Sequence, residues 1–257
     1  MRLLELRTVA RMAAALGAVA LLVFALGRWT RVDLLLADMV YDRASRTFPW
    51  RESWLTVTFS HRIAKGALTL CALAPIAAVL FDAAWPQPSL DGPFDRLRLR
   101  VIAWSALLVP ATISLLKRSS DAYCPWDLAR YGGSAPHVPY VRLFDVLPAG
   151  VSPGHCFPAG HASSALWLVS LAVLWLPGRP RTAWRAGTAG LAGRLALGWM
   201  QQLRGAHFLS HTLWSAWIAC AIVLALLVLL QERAVRAPQA SGDAGPRAPA
   251  GIRSRAR

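Results

Sequence analysis

Charge is what this 257-residue chain has least of: 16% of its residues are Asp, Glu, Lys or Arg, against about 25% in an ordinary soluble domain. Acid is scarcer than base, with 13 Asp plus Glu against 28 Lys plus Arg, and only two of the 28 are lysines, Lys65 and Lys117. There are no paired carboxylates, no glycine-rich phosphate loop and no dinucleotide fingerprint, which leaves kinase and ATPase chemistry without support. No internal repeat is present. No small-x-small cleavage site follows the first apolar run, so that run reads as a retained helix and not a signal peptide. What is abundant is apolar: 56% of the residues, 12 Trp and a mean hydropathy of +0.41. That much apolar surface needs lipid to cover it. The net charge of +15 is spread between apolar runs, not clustered on one soluble face as nucleic-acid binding requires.

Six uncharged or nearly uncharged runs predict an all-α, polytopic helical bundle with about six spans: residues 12–27, 66–81, 101–116, 162–176, 186–200 (interrupted by Arg194) and 212–230. Most are shorter than the roughly 20 residues of a comfortable crossing. Flanking Arg28, Trp29, Trp85, Trp184 and Trp199 extend them by snorkelling and interfacial anchoring. With the N-terminus in the cytoplasm, the inside segments carry 15 Lys/Arg and the outside segments 12, which favours that orientation. Three regions follow: an N-terminal membrane region (1–100), a core of four spans with an outer loop (101–230), and a disordered basic cytoplasmic tail (231–257).

Polar chemistry interrupts the apolar pattern in three places: KRSSDAYCP from Lys117, PAGH from Pro158 to His161, and RGAHFLSH from Arg204 to His211. In a six-span chain all three fall on one membrane face, whichever way the protein is inserted, so they predict one site built from helix ends. Lys117 and Arg204 supply positive charge, and the turn before a helix supplies backbone N–H groups, which suits an anion such as phosphate. His161 and His211 supply a nucleophile and a proton donor for phosphoryl transfer.

At these residues the sequence resembles the type 2 phosphatidic acid phosphatase family, membrane relatives of bacterial acid phosphatases and vanadium haloperoxidases, whose signature runs K-x6-R-P, P-S-G-H and S-R-x5-H-x3-D. The resemblance covers about residues 100–225. It implies that His211 is the nucleophile, that His161 protonates the leaving oxygen, and that Lys117 and Arg204, with Gly160 and Ala159 of the turn, hold the phosphate without a metal or other cofactor. Four positions depart from the signature, and one extra residue stands between Arg204 and His211. Cys124 replaces its Arg, with Arg118, Arg130 and Arg142 as possible substitutes. Ala159 replaces Ser, and Leu203 stands where the Ser before Arg204 is expected. Ser215 replaces the Asp that would fix the imidazole tautomer, a role open to a backbone carbonyl, Ser215 itself, Asp121, Asp127 or Asp145. His207 competes with His211 for the nucleophile role, and His155 reads as a loop residue lining the pocket.

Plainer readings stand beside these. Lys117 is a snorkelling anchor taken alone, and Arg194 is either a pocket group or a helix–helix hydrogen bonder. Gly187, Gly190 and Gly193 read as close helix packing. His207 and His211 with His155 or His161 could bind a metal instead. Cys71 and Cys220 lie within spans, whereas Cys124 and Cys156 share the outer loop, where an oxidising compartment permits a disulfide between them. The expected protein is a phosphatase of membrane lipid phosphates or diphosphates at the periplasmic face of a bacterial cytoplasmic membrane. Lipid phosphotransfer and non-catalytic phosphate-lipid binding are the alternatives, and no nucleic-acid partner is expected.

Overall fold

The computed structural model describes residues 2–133, 138–143, 145–160 and 163–242. Its regular elements are all helical: α1 (Leu6–Trp29), α2 (Val32–Val40), a π-helical stretch (Leu55–Ala64) running into α3 (Lys65–Ala84), α4 (Asp95–Arg118), the short α5 (Ser163–Leu166) continued as a 3₁₀ helix (Trp167–Trp175), α6 (Pro180–Leu203) and α7 (Leu209–Gly242). Each of the six apolar runs falls on one of these helices. Four helices, Leu6–Trp29, Leu55–Ala84, Asp95–Arg118 and Leu209–Arg236, are long and apolar enough to cross a membrane. The chain is a multi-pass membrane protein.

α4 is the central post. Val101, Ser105, Val109 and Ile113 recur every fourth residue and, with Ile102, Ala103 and Ala106, form its buried face, as 3.6-residue periodicity dictates. That face packs on α3, α7 and the 3₁₀ stretch. Residues Ser163–Trp175 are few, but 3₁₀ geometry rises about 2.0 Å per residue, so they reach about 24 Å. α6 lies along them at close range. A Cβ at Gly190 would stand 3.2 Å from the Leu168 carbonyl carbon and one at Gly187 3.5 Å from Ala172 Cβ, whereas Gly193 faces nothing within 4 Å. Two of the three glycines therefore serve helix contact.

The apolar core runs in tiers. Val101, Ile102, Trp167, Val173 and Leu227 close one end of the bundle, and Val109, Ile113, Leu166, Ala216 and Ala219 fill the middle. At the other end, Ala37, Phe48, Leu128, Tyr131 and Phe208 draw α2 and the long α4–α5 connection together. Arg130 pairs with Asp38 there, as does the Tyr131 hydroxyl at 3.0 Å. Exposed Leu21, Leu22, Leu70, Leu80 and Leu115 remain on the outside, as lipid contact requires.

The structure differs from expectation at the end of the last run. α7 continues past residue 230 to Gly242, through the first turns of the segment read as a tail. The N-terminus holds it: Gln231 bonds both the amide and the carbonyl of Leu4, each at 3.2 Å, and Arg2 pairs with Glu232 at 3.0 Å. The rest of that segment, 243–257, lies outside the described residues.

Candidate active site

Three chain reversals bring the polar stretches together. After α4, residues 120–122 lie against 154–156: the amides of Gly154, His155 and Cys156 donate to the carbonyls of Asp121, Ser120 and Ala122 at 3.2, 3.0 and 2.8 Å. Gly154 is required there, because a Cβ would lie 2.6 Å from the Tyr123 ring. Cys124 and Cys156 are joined in a disulfide, with Cα atoms 5.3 Å apart, which ties the lysine stretch to the turn that follows. At the end of α6, Gly205 adopts φ +71° with Phe48 so close that no Cβ fits. The amides of Gly205 and Ala206 close the helix on Gln202 and Gln201, each at 2.9 Å, a left-handed helix stop that turns His207 and His211 inward.

Lys117 meets the turn. A Cβ on Gly160 would stand 3.2 Å from Lys117 Cδ and 3.9 Å from Nζ, so the lysine stem crosses the face that glycine leaves open. Ala159 is fixed from three sides: its amide donates to the His211 carbonyl at 3.3 Å, and its carbonyl accepts from Ser215 Oγ at 3.1 Å and Arg194 Nη2 at 3.3 Å. The Ala159 amide is therefore committed to α7. Ser215 also donates to the His211 carbonyl at 2.8 Å, so its hydroxyl proton serves backbone and not the imidazole. Beside Lys117, an open pocket of about 520 Å³ is lined by Ser114, Lys117, Arg118 and His155, a size suited to a ligand. His161 lies outside the described residues.

The two histidines are buried side by side, ring centroids 6.0 Å apart, with Phe157 and Phe208 each 5.5 Å from the His211 ring. His207 Nδ1 lies 3.4 Å from Cys156 Sγ. The backbone of Cys156 faces the His211 ring, whose Nδ1 is buried with no hydrogen-bond partner among the described residues. Cys124, Cys156 and His207 are close enough together to suggest a metal site, but the disulfide leaves neither sulfur as the thiolate a metal takes.

The arginines sort differently from their spacing. Arg204 Nε donates to the Arg51 carbonyl at 3.0 Å and Nη1 to Gln201 Oε1 at 3.2 Å, and its guanidinium lies over Trp126; none of these bonds reaches the turn. Arg130 is committed to Asp38, and Arg142 donates to the Arg28 carbonyl. Arg118 is the one of the three possible substitutes that lines the pocket. Arg194, 1% exposed, touches the turn from beneath through Ala159, while its Nε and Nη1 have no partner among the described residues. Gly198 admits it: a Cβ there would stand 2.7 Å from Arg194 Nη1 and 2.5 Å from Cγ2 of Thr212, the residue after His211.

Two of the three acids proposed to support the imidazole are engaged elsewhere. Asp145 pairs with Arg28 at 3.0 Å, and Asp127 accepts from Trp126 Nε1 at 3.1 Å while burial raises its carboxyl above the ordinary range. The Asp121 carbonyl accepts from Gly154. Asp33 of α2, which the motif analysis passed over, is 4% exposed and accepts from the Ser210 amide at 2.9 Å and the Ser210 hydroxyl at 2.5 Å. The signal for it was an acid at the start of a short apolar stretch, VDLLLADMV, whose other acid, Asp38, pairs with Arg130.

A helical membrane protein with a lysine laid on a tight turn beside two buried histidines has the parts of a phosphate-handling site. The model of the PAP2 superfamily matches residues 98–234, a stretch that contains all of these groups, and the chain belongs to that superfamily. Membership points to phosphatase-type activity. No match was found among curated proteins or among solved structures.

Proposed function

We propose that the protein is a metal-independent phosphatase of membrane lipid phosphates or diphosphates, working through a phosphohistidine at the outer face of the cytoplasmic membrane. The observation that carries this reading is the meeting of three stretches far apart in sequence: Lys117 lies across Gly160, and the neighbouring Ala159 is bonded to His211. In this reading α5 with its 3₁₀ continuation and α6 also cross the membrane, giving six spans with the site at one face. Exposed Leu115 and Leu116 lie between the pocket-lining Ser114 and Lys117 in sequence, so a lipid tail can stay in the bilayer while its phosphate enters.

Lys117, Arg118 and Arg194 bring positive charge to the phosphoryl oxygens from two sides, where a water-poor site makes each charge count. His211 attacks phosphorus, forming a P–N bond as the P–O bond to the lipid breaks, and His161 gives the leaving oxygen its proton. Water then attacks the phosphohistidine, releases phosphate and returns a proton to His161. Arg204, by its hydrogen bonds, braces the end of α6 on Arg51 and Trp126.

A second assignment of the nucleophile has its own support. His207 is buried against Cys156, and four residues after it stands His211, the spacing at which the family signature carries its acid. In that case His211 is the group that orients His207.

The test is phosphate release by detergent-purified protein from a panel of lipid phosphates and diphosphates with EDTA present, comparing wild type with His211→Asn and His207→Asn. Release lost in His211→Asn but not in His207→Asn supports the first assignment, and the reverse supports the second. A folded wild type that binds a lipid phosphate without releasing phosphate would leave transfer to a lipid acceptor, or binding alone.

A further inference from the structure

Lysine is rare in this chain, and both copies stand at one place. Among 28 basic residues only Lys65 and Lys117 are lysines. Lys65 opens α3 just before the apolar run 66–81, and Lys117 closes the run 101–116 on α4. The two helices are joined by residues 85–94 and pack together. α3 is 20 residues long, and the same count along α4 from that connection reaches Ser114, which lines the open pocket beside Lys117. Equal rise per residue therefore sets Lys65 at the level of the pocket. Lys65 also lies two turns before Ala72 on one face of α3, and Ala72 is buried with Ile102 and Ala106 of α4, so that face looks toward α4. Lys65 itself is exposed, and the two ammonium groups are close enough for their charges to repel. Neither forms an ion pair among the described residues. Like charges brought together without a counter-ion are unfavourable, and such pairs mark ligand sites.

Lys117 has a task already, because its stem lies over Gly160 and its charge reaches the His211 ring. The pocket, about 520 Å³, has room for more than one phosphoryl group. We infer that Lys65 is a specificity residue of this site, binding the inner phosphate of a lipid diphosphate while Lys117 holds the terminal one. The order fits the bilayer: Lys65, level with Ser114, lies about 4.5 Å nearer the membrane middle than Lys117, and a lipid with its tail in the bilayer presents its inner phosphate deeper than its terminal one. The lysine stem is flexible and its ammonium carries three donors, so it can follow the diphosphate oxygens. In the reaction the bridging P–O bond breaks as the P–N bond to histidine forms. The lipid monophosphate leaves with the bridging oxygen, which keeps the electron pair and takes its proton from His161. Lys65 then stands where the leaving group's charge develops. The inference rests on the phosphatase reading above and narrows its preferred substrates to those with two linked phosphates.

Calorimetric titration of the full-length protein in detergent with inorganic pyrophosphate and with inorganic phosphate, at one ionic strength, tests the site without turnover. Wild type is expected to bind pyrophosphate about tenfold more tightly than phosphate, the gain from one added charge-assisted contact, and Lys65→Gln to lose that preference. Lys65→Arg keeps most of it. Arg185→Gln, which removes one exposed charge at the start of α6, away from the site, is the control and leaves the ratio in place. Equal ratios in wild type and Lys65→Gln, or a folded wild type that binds no pyrophosphate, would overturn the inference. In turnover, the kcat/KM ratio of a lipid diphosphate over the monophosphate of the same chain is expected to fall about tenfold in Lys65→Gln. A preference confined to free pyrophosphate, with the lipid ratio unchanged, overturns the lipid assignment. Turnover of both lipids with no dependence of either ratio on Lys65 defeats the inference and leaves the phosphatase reading standing; pyrophosphate bound through Lys65 with no turnover of either lipid defeats the phosphatase reading and leaves the anion site.

Discussion

Asp82 and Asp33 are both buried acids, at opposite ends of one bundle, and they are treated in opposite ways. Asp82 accepts three bonds from the Arg96 guanidinium, the closest at 3.0 Å, and one from the Gln87 amide at 3.0 Å. Asp33 accepts from the Ser210 amide and hydroxyl and from the Leu209 backbone, and has no cation among the described residues. Arginine repeats the contrast: Arg98 near the Asp82 end pairs with Asp95 at 2.8 Å and bonds the Leu176 carbonyl, whereas Arg194 has one backbone carbonyl and two buried nitrogens without partners among the described residues. One end of the molecule neutralises its buried charge; the other keeps it available. Charge left uncompensated in a protein interior lowers stability, and Arg194 beneath Ala159 is the charge for which a bound anion is expected to supply the missing partner.

The largest expected effect lies at the site end. Replacing Cys124 and Cys156 together by Ser removes a link across a sequence separation of 32 residues, worth roughly 3–4 kcal/mol by the chain-entropy model. A denaturant or thermal midpoint that moves little would show that the paired segments 120–122 and 154–156 hold themselves together. Next comes Arg194→Gln, which keeps a donor for Ala159 and deletes the charge. A loss of about 100-fold in kcat/KM, or about 2.7 kcal/mol, is expected with no fall in Tm. Asp82→Asn, which leaves Arg96 with only Asp91 and the Gln87 carbonyl as partners, is the mirror experiment and should lower Tm with kcat unchanged. Equal Tm losses in the two variants would erase the contrast between the ends.

A smaller effect follows from Asp33. Its carboxyl is raised in the folded protein, so the folded state holds that proton more tightly than the unfolded chain does. Stability should therefore fall as pH rises from the ordinary carboxyl range through the raised value, and this part of the slope should vanish in Asp33→Asn. Unfolding midpoints across that range read it directly, and a slope unchanged in the variant would contradict the burial argument. Gly160→Ala is the mildest: its Cβ would press on Lys117 Cδ at 3.2 Å, and a KM increase of about three- to tenfold, near 1 kcal/mol, is expected with little change in stability.

Much of this was legible in the sequence, because membrane helices declare themselves by composition and a site made of helix ends declares itself by order along the chain. All six apolar runs lie on helices, and the lysine stretch and the turn meet. What the sequence hid depends on tertiary direction. Spacing marked Arg204 as a clamp, yet the left-handed stop at Gly205 sends its guanidinium to Arg51 and Trp126. Arg194, nearly three turns earlier on α6, folds up through the slot at Gly198 and takes the place beneath the turn. Asp33 lies 177 positions before Ser210, the residue it bonds, and no local pattern links the two; only the packing of α2 against the start of α7 does.

The central claim, that this end of the bundle passes a phosphoryl group through histidine, is tested most directly by acid-free quenching of the protein during reaction with a radiolabelled lipid phosphate. The expected result is a covalent label, stable to base and labile to acid, on the peptide containing His207 and His211, and absent from the variant lacking the nucleophilic ring. Turnover of the lipid with the label never found on that peptide, under quench times short enough to catch the intermediate, would contradict it.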